Sequence, residues 1–193
     1  MLIFTAALVV MVVPCILFAD RPVAMYVYQH QALRPLFQAA AVPSLFALPL
    51  AALFLLHELV QRLRGNGIVN RLYLAASVAT LAGTAAKDEL KWLFGRPWPD
   101  TWLREGIYNF HPLATSNLYG GFPSGHTSYI AAPLCVLWAK VPRYRWLWGG
   151  LIGLVMVGLV GADYHFVADV LGGLLTGMVC AWGSLVLIPV RDA

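Results

Sequence analysis

The sequence predicts an all-α integral membrane protein: a bundle of six transmembrane helices forming one domain over residues 1–193. Three observations carry that expectation. The chain is 60% hydrophobic and only 11% charged, whereas a soluble domain carries about a quarter charged residues. Its mean hydropathy is +0.72. Its apolar residues gather in runs near the ~20 residues that span a hydrocarbon core as a helix, with short Lys/Arg clusters between them. No internal repeat or low-complexity stretch interrupts this layout.

The first span is expected over Leu2–Ala19. It lacks the basic leading region and small-residue cleavage site of a secretion signal, so a retained helix is expected. Pro14 ahead of Cys15 makes a poor lipoprotein acceptor. Leu36–Val60 forms the second span, bent by Pro43 and Pro49 because proline removes a helix hydrogen bond. Leu72–Phe94, Phe122–Ala139, Trp146–Ala162 and Val167–Val190 supply the remaining four. Some of the six qualify only if their polar ends have a function.

Orientation follows from the connections. Arg62, Arg64 and Arg71 bracket one short loop, Lys140, Arg143 and Arg145 fill another, and Arg191 ends the chain. By the positive-inside tendency these share the cytoplasmic side, with both termini. Residues 20–35, 95–121 and 163–166 then face outward, toward the periplasm if the host is Gram-negative. The outer side also carries Arg21, Arg34, Lys87, Lys91, Arg96 and Arg104, an exception that makes sense if Lys87, Lys91 and Arg96 serve a ligand. The net charge of +4 therefore does not argue for nucleic acid. Cys15, Cys135 and Cys180 sit in apolar runs without metal-ligand spacing, as buried small hydrophobes do.

The chemistry concentrates at the outer ends of the third, fourth and sixth spans. Lys87 and Lys91 are four residues apart and share one helix face. Asp88 can pair with Lys91 or a neighbour, and Arg96 follows within Gly95-Arg96-Pro97. Trp92, Trp98 and Trp102 read as an interfacial aromatic belt. In Pro123-Ser124-Gly125-His126, Ser124 suits an N-cap, and the free N–H groups behind it attract an anion. Gly125 lets a phosphate approach the backbone. A simple cap does not account for His126, since an ionisable group at membrane depth is costly and is a functional candidate by default. His165 and Asp169 stand at i and i+4, where a carboxylate can accept one imidazole N–H and leave the other nitrogen as nucleophile. His111, Tyr119 and Asp163 are placed to shape an entrance, while His30 and His57 read as interfacial.

Lys91 with Arg96-Pro97, Pro123-Ser124-Gly125-His126 and His165-x-x-x-Asp169 resemble the three signature blocks of the type 2 phosphatidic acid phosphatase and vanadium haloperoxidase superfamily. The resemblance is detailed from Lys87 to Gly173. It implies a phosphatase that needs no metal or cofactor and works through a phosphohistidine. His165 would attack phosphorus, Asp169 would orient it, and His126 would protonate the leaving oxygen. Lys87, Lys91, Arg96, Ser124 and the Gly125 N–H would hold the phosphate oxygens. Two positions depart from the pattern: Trp98 stands where the first block has arginine, and Gly158-Leu159 where the third has Ser-Arg. Arg96, Lys87 or Arg104 is expected to compensate, Arg96 foremost.

The implied substrate is a lipid phosphate, such as phosphatidate, phosphatidylglycerol phosphate, a polyprenyl diphosphate or a lipid A phosphate. Its tails would remain in the bilayer of a bacterial inner membrane. Three alternatives accompany that reading: transfer of the phosphoryl group to another lipid, a non-catalytic protein that binds or transports anionic lipids, and a zinc site at His126, His165 and Asp169. The adjacent cations argue against zinc, because they repel a metal ion.

Overall fold

In the computed structural model, residues 2–65 and 69–190 are described, and all their regular structure is helical. The described residues form nine α-helices: α1 (Leu2–Pro14), α2 (Asp20–Gln29), α3 (Arg34–Ala41), α4 (Ala47–Leu63), α5 (Arg71–Phe94), α6 (Pro99–Glu105), α7 (Gly125–Lys140), α8 (Arg145–Gly161) and α9 (Val167–Leu187). α7 and α9 form the centre, with α5 packed on both. α8 joins α7 on one side and carries α3; α4 lies on α5 and α1 on α9. Ala75, Ala79, Ala132 and Ala181 are buried where α5, α7 and α9 meet, and such small residues allow close helix approach in a membrane. On α9, a Cβ on Gly177 would lie 2.6 Å from the Ala131 Cβ and 2.8 Å from the Ala132 nitrogen of α7.

Four helical stretches are long and apolar enough to cross a membrane: Ala7–Gln29, Gln31–Leu63, Pro142–Gly161 and Val167–Leu187. The first runs ten residues past the expected end at Ala19. A π-helical turn over Cys15–Ala19 leads directly into α2, and Asp20 does not end the helix because its charge is met inside the bundle. The second stretch is likewise longer than expected. It breaks at a 3-10 segment, Val42–Phe46, which has Pro43 in its first turn. α5 has 24 residues, about 36 Å at 1.5 Å per residue, but its last turns carry Lys87, Asp88, Glu89 and Lys91. α7 has 16 residues and is largely buried by its neighbours. These two helices correspond to the expected third and fourth spans, and neither is among the four stretches long and apolar enough to cross a membrane. Large apolar side chains are exposed on the bundle surface, among them Val10, Phe18, Leu36 and Leu53 and, on the last turns of α9, Trp182 and Leu187. Arg191, read as part of the basic side, lies outside the described residues.

The ends of α5, α7 and α9 are fixed to each other by backbone. Gly95 ends α5 at φ 57°, the left-handed region that favours glycine. His111 N donates to Gly95 O at 2.8 Å and Gly121 N to Arg96 O at 2.8 Å, pinning both ends of the 95–121 connection. Ser124 N donates to Asp169 O at 2.9 Å, tying the start of α7 to the first turn of α9.

Candidate active site

One cavity of about 1090 Å³ opens at this end of the bundle, and Lys91, Gly125, His126 and His165 all line it. Each arrives from a different local cause. Lys91 ends the polar face of α5. Ser124 caps α7 by accepting the Thr127 N–H at 3.3 Å, which aims the next turn, with His126, at the cavity. His165 sits in the turn between α8 and α9, two residues after Asp163, whose φ of 61° reverses the chain.

The His165 ring lies 5.1 Å from Trp98, and the Lys91 ammonium stands 4.8 Å above that same indole. Trp98 is thus a wall of the cavity, anchored by its Nε1–H to Asn117 O at 2.8 Å. Trp102 packs on Tyr108 and Phe166, leaving Trp92, 48% exposed, in the belt position expected of all three. His165 Nδ1 is buried without a hydrogen-bond partner and lies 3.5 Å from Asp169 Oδ2, one short adjustment from a hydrogen bond.

Asp169 is fully buried. Its Oδ2 accepts the Phe166 N–H at 2.9 Å, half of a capping box on α9. Its Oδ1 accepts from Arg96 Nη1 at 2.7 Å. Arg96 does not line the cavity. It is 0% exposed, and its Nη2 donates to Asp20 Oδ2 at 2.6 Å and to the Tyr108 hydroxyl at 3.1 Å. Phe166 covers its guanidinium at 4.5 Å. Burial alone would lower the Arg96 pKa, but Asp169 and Asp20 outweigh it and raise it, so the guanidinium stays charged. Asp20 also accepts the Ala168 N–H at 2.9 Å. Two carboxylates therefore satisfy the amino end of α9, where negative charge is favoured, and one guanidinium bridges them. Tyr108 closes the cluster by donating to Ile16 O at 2.6 Å, and burial pushes its hydroxyl pKa up.

The other expected residues take these places. Lys87 pairs with Asp88 and lies 5.6 Å from the Tyr129 ring. Its stem crosses Gly125, where a Cβ would come within 2.9 Å of Lys87 Cδ. Ser124 is fully buried, its hydroxyl also accepting from Thr127 Oγ1 at 3.1 Å. Asp163 lines the cavity. His111 and Tyr119 pack against each other outside it, their rings 4.4 Å apart and tilted by 43°. Arg104 lines it but is paired with Asp100 at 2.7 Å. Among the described residues, no cluster of three His, Cys, Asp or Glu side chains could hold a metal ion. Sequence reasoning missed Asp20, Tyr108 and Arg34. Asp20 had one available signal: a carboxylate closing an apolar run is expensive unless paired.

An apolar-surfaced helical bundle with two histidines and a lysine on one cavity defines the class: a helical membrane protein with a cationic, imidazole-bearing pocket. The chain belongs to the PAP2 superfamily, whose sequence model matches residues 72–192. Among curated proteins it is similar to the lipid A 1-phosphatase of Rhizobium johnstonii, 34% identical over 102 residues, which are 50% of this chain and 38% of that protein. The lipid A 1-phosphatase of Rhizobium etli is 33% identical over 102 residues, 50% of this chain and 40% of that protein. That of Helicobacter pylori is 40% identical over 67 residues, 32% of this chain and 35% of that protein. The chain thus spans well under half the length of the curated relatives it matches. No solved structure matches it.

Proposed function

We propose that this protein is a membrane-embedded lipid phosphatase that hydrolyses a head-group phosphomonoester or diphosphate through a phosphohistidine. The observation that carries the reading is the meeting of His126 and His165, from separate helices, on the cavity that also holds Lys91. His165 Nε2 attacks phosphorus as the bond from phosphorus to the lipid oxygen breaks, and His126 gives that oxygen its proton. Water then attacks the phosphohistidine, His126 takes a proton from it, and the P–N bond breaks to release inorganic phosphate. Lys91 and the α7 N–H groups offset charge on the oxygens, the main demand of phosphoryl transfer. Asp169 fixes the His165 tautomer. Arg96 acts one step back, holding Asp169, rather than on the phosphate. No metal takes part.

The chain crosses the membrane six times in this reading, with α5 and α7 among the spans. The cavity faces the periplasm of a bacterial inner membrane, and both termini are cytoplasmic. The names of the similar proteins put a lipid A phosphate at the head of the substrate panel. Phosphate release is measured in detergent with a chelator present, across phosphatidate, a polyprenyl diphosphate and lipid A. Release that persists with chelator and vanishes in His165→Ala is expected. Undiminished release in His165→Ala excludes this route.

A further inference from the structure

A phosphate in the cavity presents several charged oxygens, and a planar guanidinium meets two of them at once. The cationic groups near His165 are mostly engaged elsewhere. Arg96 is enclosed by Asp20 and Asp169, Arg104 is bridged by Asp100, and Lys87 by Asp88. Arg34 differs. It lines the same cavity as Lys91, His126 and His165, and its Nε is buried with no hydrogen-bond partner. Among the described residues no carboxylate forms an ion pair with it, although its charge acts on Asp163.

Arg34 reaches this place because α3 lies directly against α8. A Cβ on Gly158 would sit 2.7 Å from Phe37 O and 2.8 Å from Ala41 N, and one on Gly161 would enter the Phe37 ring. Only glycine at these two positions lets α3 lie so close. One turn along α3 from Arg34, Gln38 donates to the Tyr164 hydroxyl at 2.9 Å. Residues i and i+4 share a helix face, so this bond turns the Arg34 face toward the Asp163-Tyr164-His165 turn. Leu159, buried beside them, gives that wall of the cavity no charge of its own.

We propose that Arg34 is the guanidinium that grips the substrate phosphate, delivered by α3 through the notch at Gly158 and Gly161. The inference rests on the phosphatase reading of this cavity but is tested apart from it. The full chain in detergent is titrated with inorganic phosphate by calorimetry, with Arg34→Gln, Arg34→Lys and Asp163→Asn beside the parent. A charge-assisted pair to phosphate predicts that Arg34→Gln binds phosphate about 10- to 100-fold more weakly. Arg34→Lys, which keeps the charge and the packed stem, recovers part of that loss. Asp163→Asn, which removes the competing carboxylate, binds at least as tightly as the parent. A merely structural Arg34 would not produce these opposite responses.

Parent-like phosphate affinity in Arg34→Gln, or no phosphate binding by the parent, overturns the proposal. If Arg34→Gln does not keep its helical circular dichroism, Arg34→Lys decides, and unchanged affinity there overturns it as well. Arg34-dependent phosphate binding without turnover of any lipid phosphate would remove the phosphatase reading and leave this one standing. Turnover with no dependence of phosphate affinity on Arg34 would do the reverse.

Discussion

At the residue scale, the buried trio of Arg96, Asp20 and Asp169 decides how much strain the site tolerates. Burying such charges is costly, and removing one partner leaves the others uncompensated. Arg96→Ala strands two carboxylates in the bundle and is expected to lose about 3–5 kcal/mol of stability, read as a lower unfolding temperature in detergent. Asp169→Asn keeps the volume but gives His165 Nδ1 a group of the wrong hydrogen-bonding character. Turnover should fall on the order of 10³-fold or more, as it does where a carboxylate fixes a catalytic histidine tautomer. Phosphate release from the purified variant checks it.

Asp163 supplies a pH test at the same scale. Burial pushes its carboxyl from 3.8 up to about 6, with Arg34 acting in the opposite direction. The folded chain therefore holds this proton more tightly than the unfolded chain. The stability contributed by that proton is complete below the ordinary carboxylate value and is lost as the pH rises through about 6. Asp163→Asn should raise the unfolding temperature relative to the parent at pH 8 and not at pH 4. Asparagine also accepts the positive φ found here.

At the scale of elements, close packing of α7 on α9 sets the position of His126 relative to His165. Gly173 and Gly177 bring the two backbones together, and a Cβ on Gly173 would fall 2.5 Å from Ser124 O. Gly177→Val overfills that contact and should cost about 1–3 kcal/mol, with turnover falling further than stability because the two imidazoles separate. Thermal unfolding and phosphate release measured on the same preparation distinguish the two effects. The start of α7 was legible in the sequence because an N-cap is local chemistry: Ser124 satisfies an N–H three residues on. The partners of Arg96 were not, since Asp20 lies 76 positions away and no periodicity connects them. The role of α3 was hidden for the same reason. In the sequence Arg34 has the setting of a loop cation, and it is the bare backbone of Gly158 and Gly161 that admits its helix. The extension of the first helix through Asp20 was equally hidden, because its cause is the amino end of α9, 148 positions on.

At the scale of the whole molecule, apolar composition foretold the all-helical architecture. The three motif blocks converge at the cavity because their helices share one core. The polar groups gather where α5 ends and α7 and α9 begin, and α1, α4 and α8 pack against these three helices. The central claim is that His165 accepts the phosphoryl group. Its most direct test is an alkaline quench of the chain during turnover of a ³²P-labelled lipid phosphate, followed by mapping of the label. The account predicts acid-labile label on His165, present with chelator and absent in His165→Ala. Turnover with no protein-bound label in the parent, and with full rate retained in His165→Ala, would contradict it.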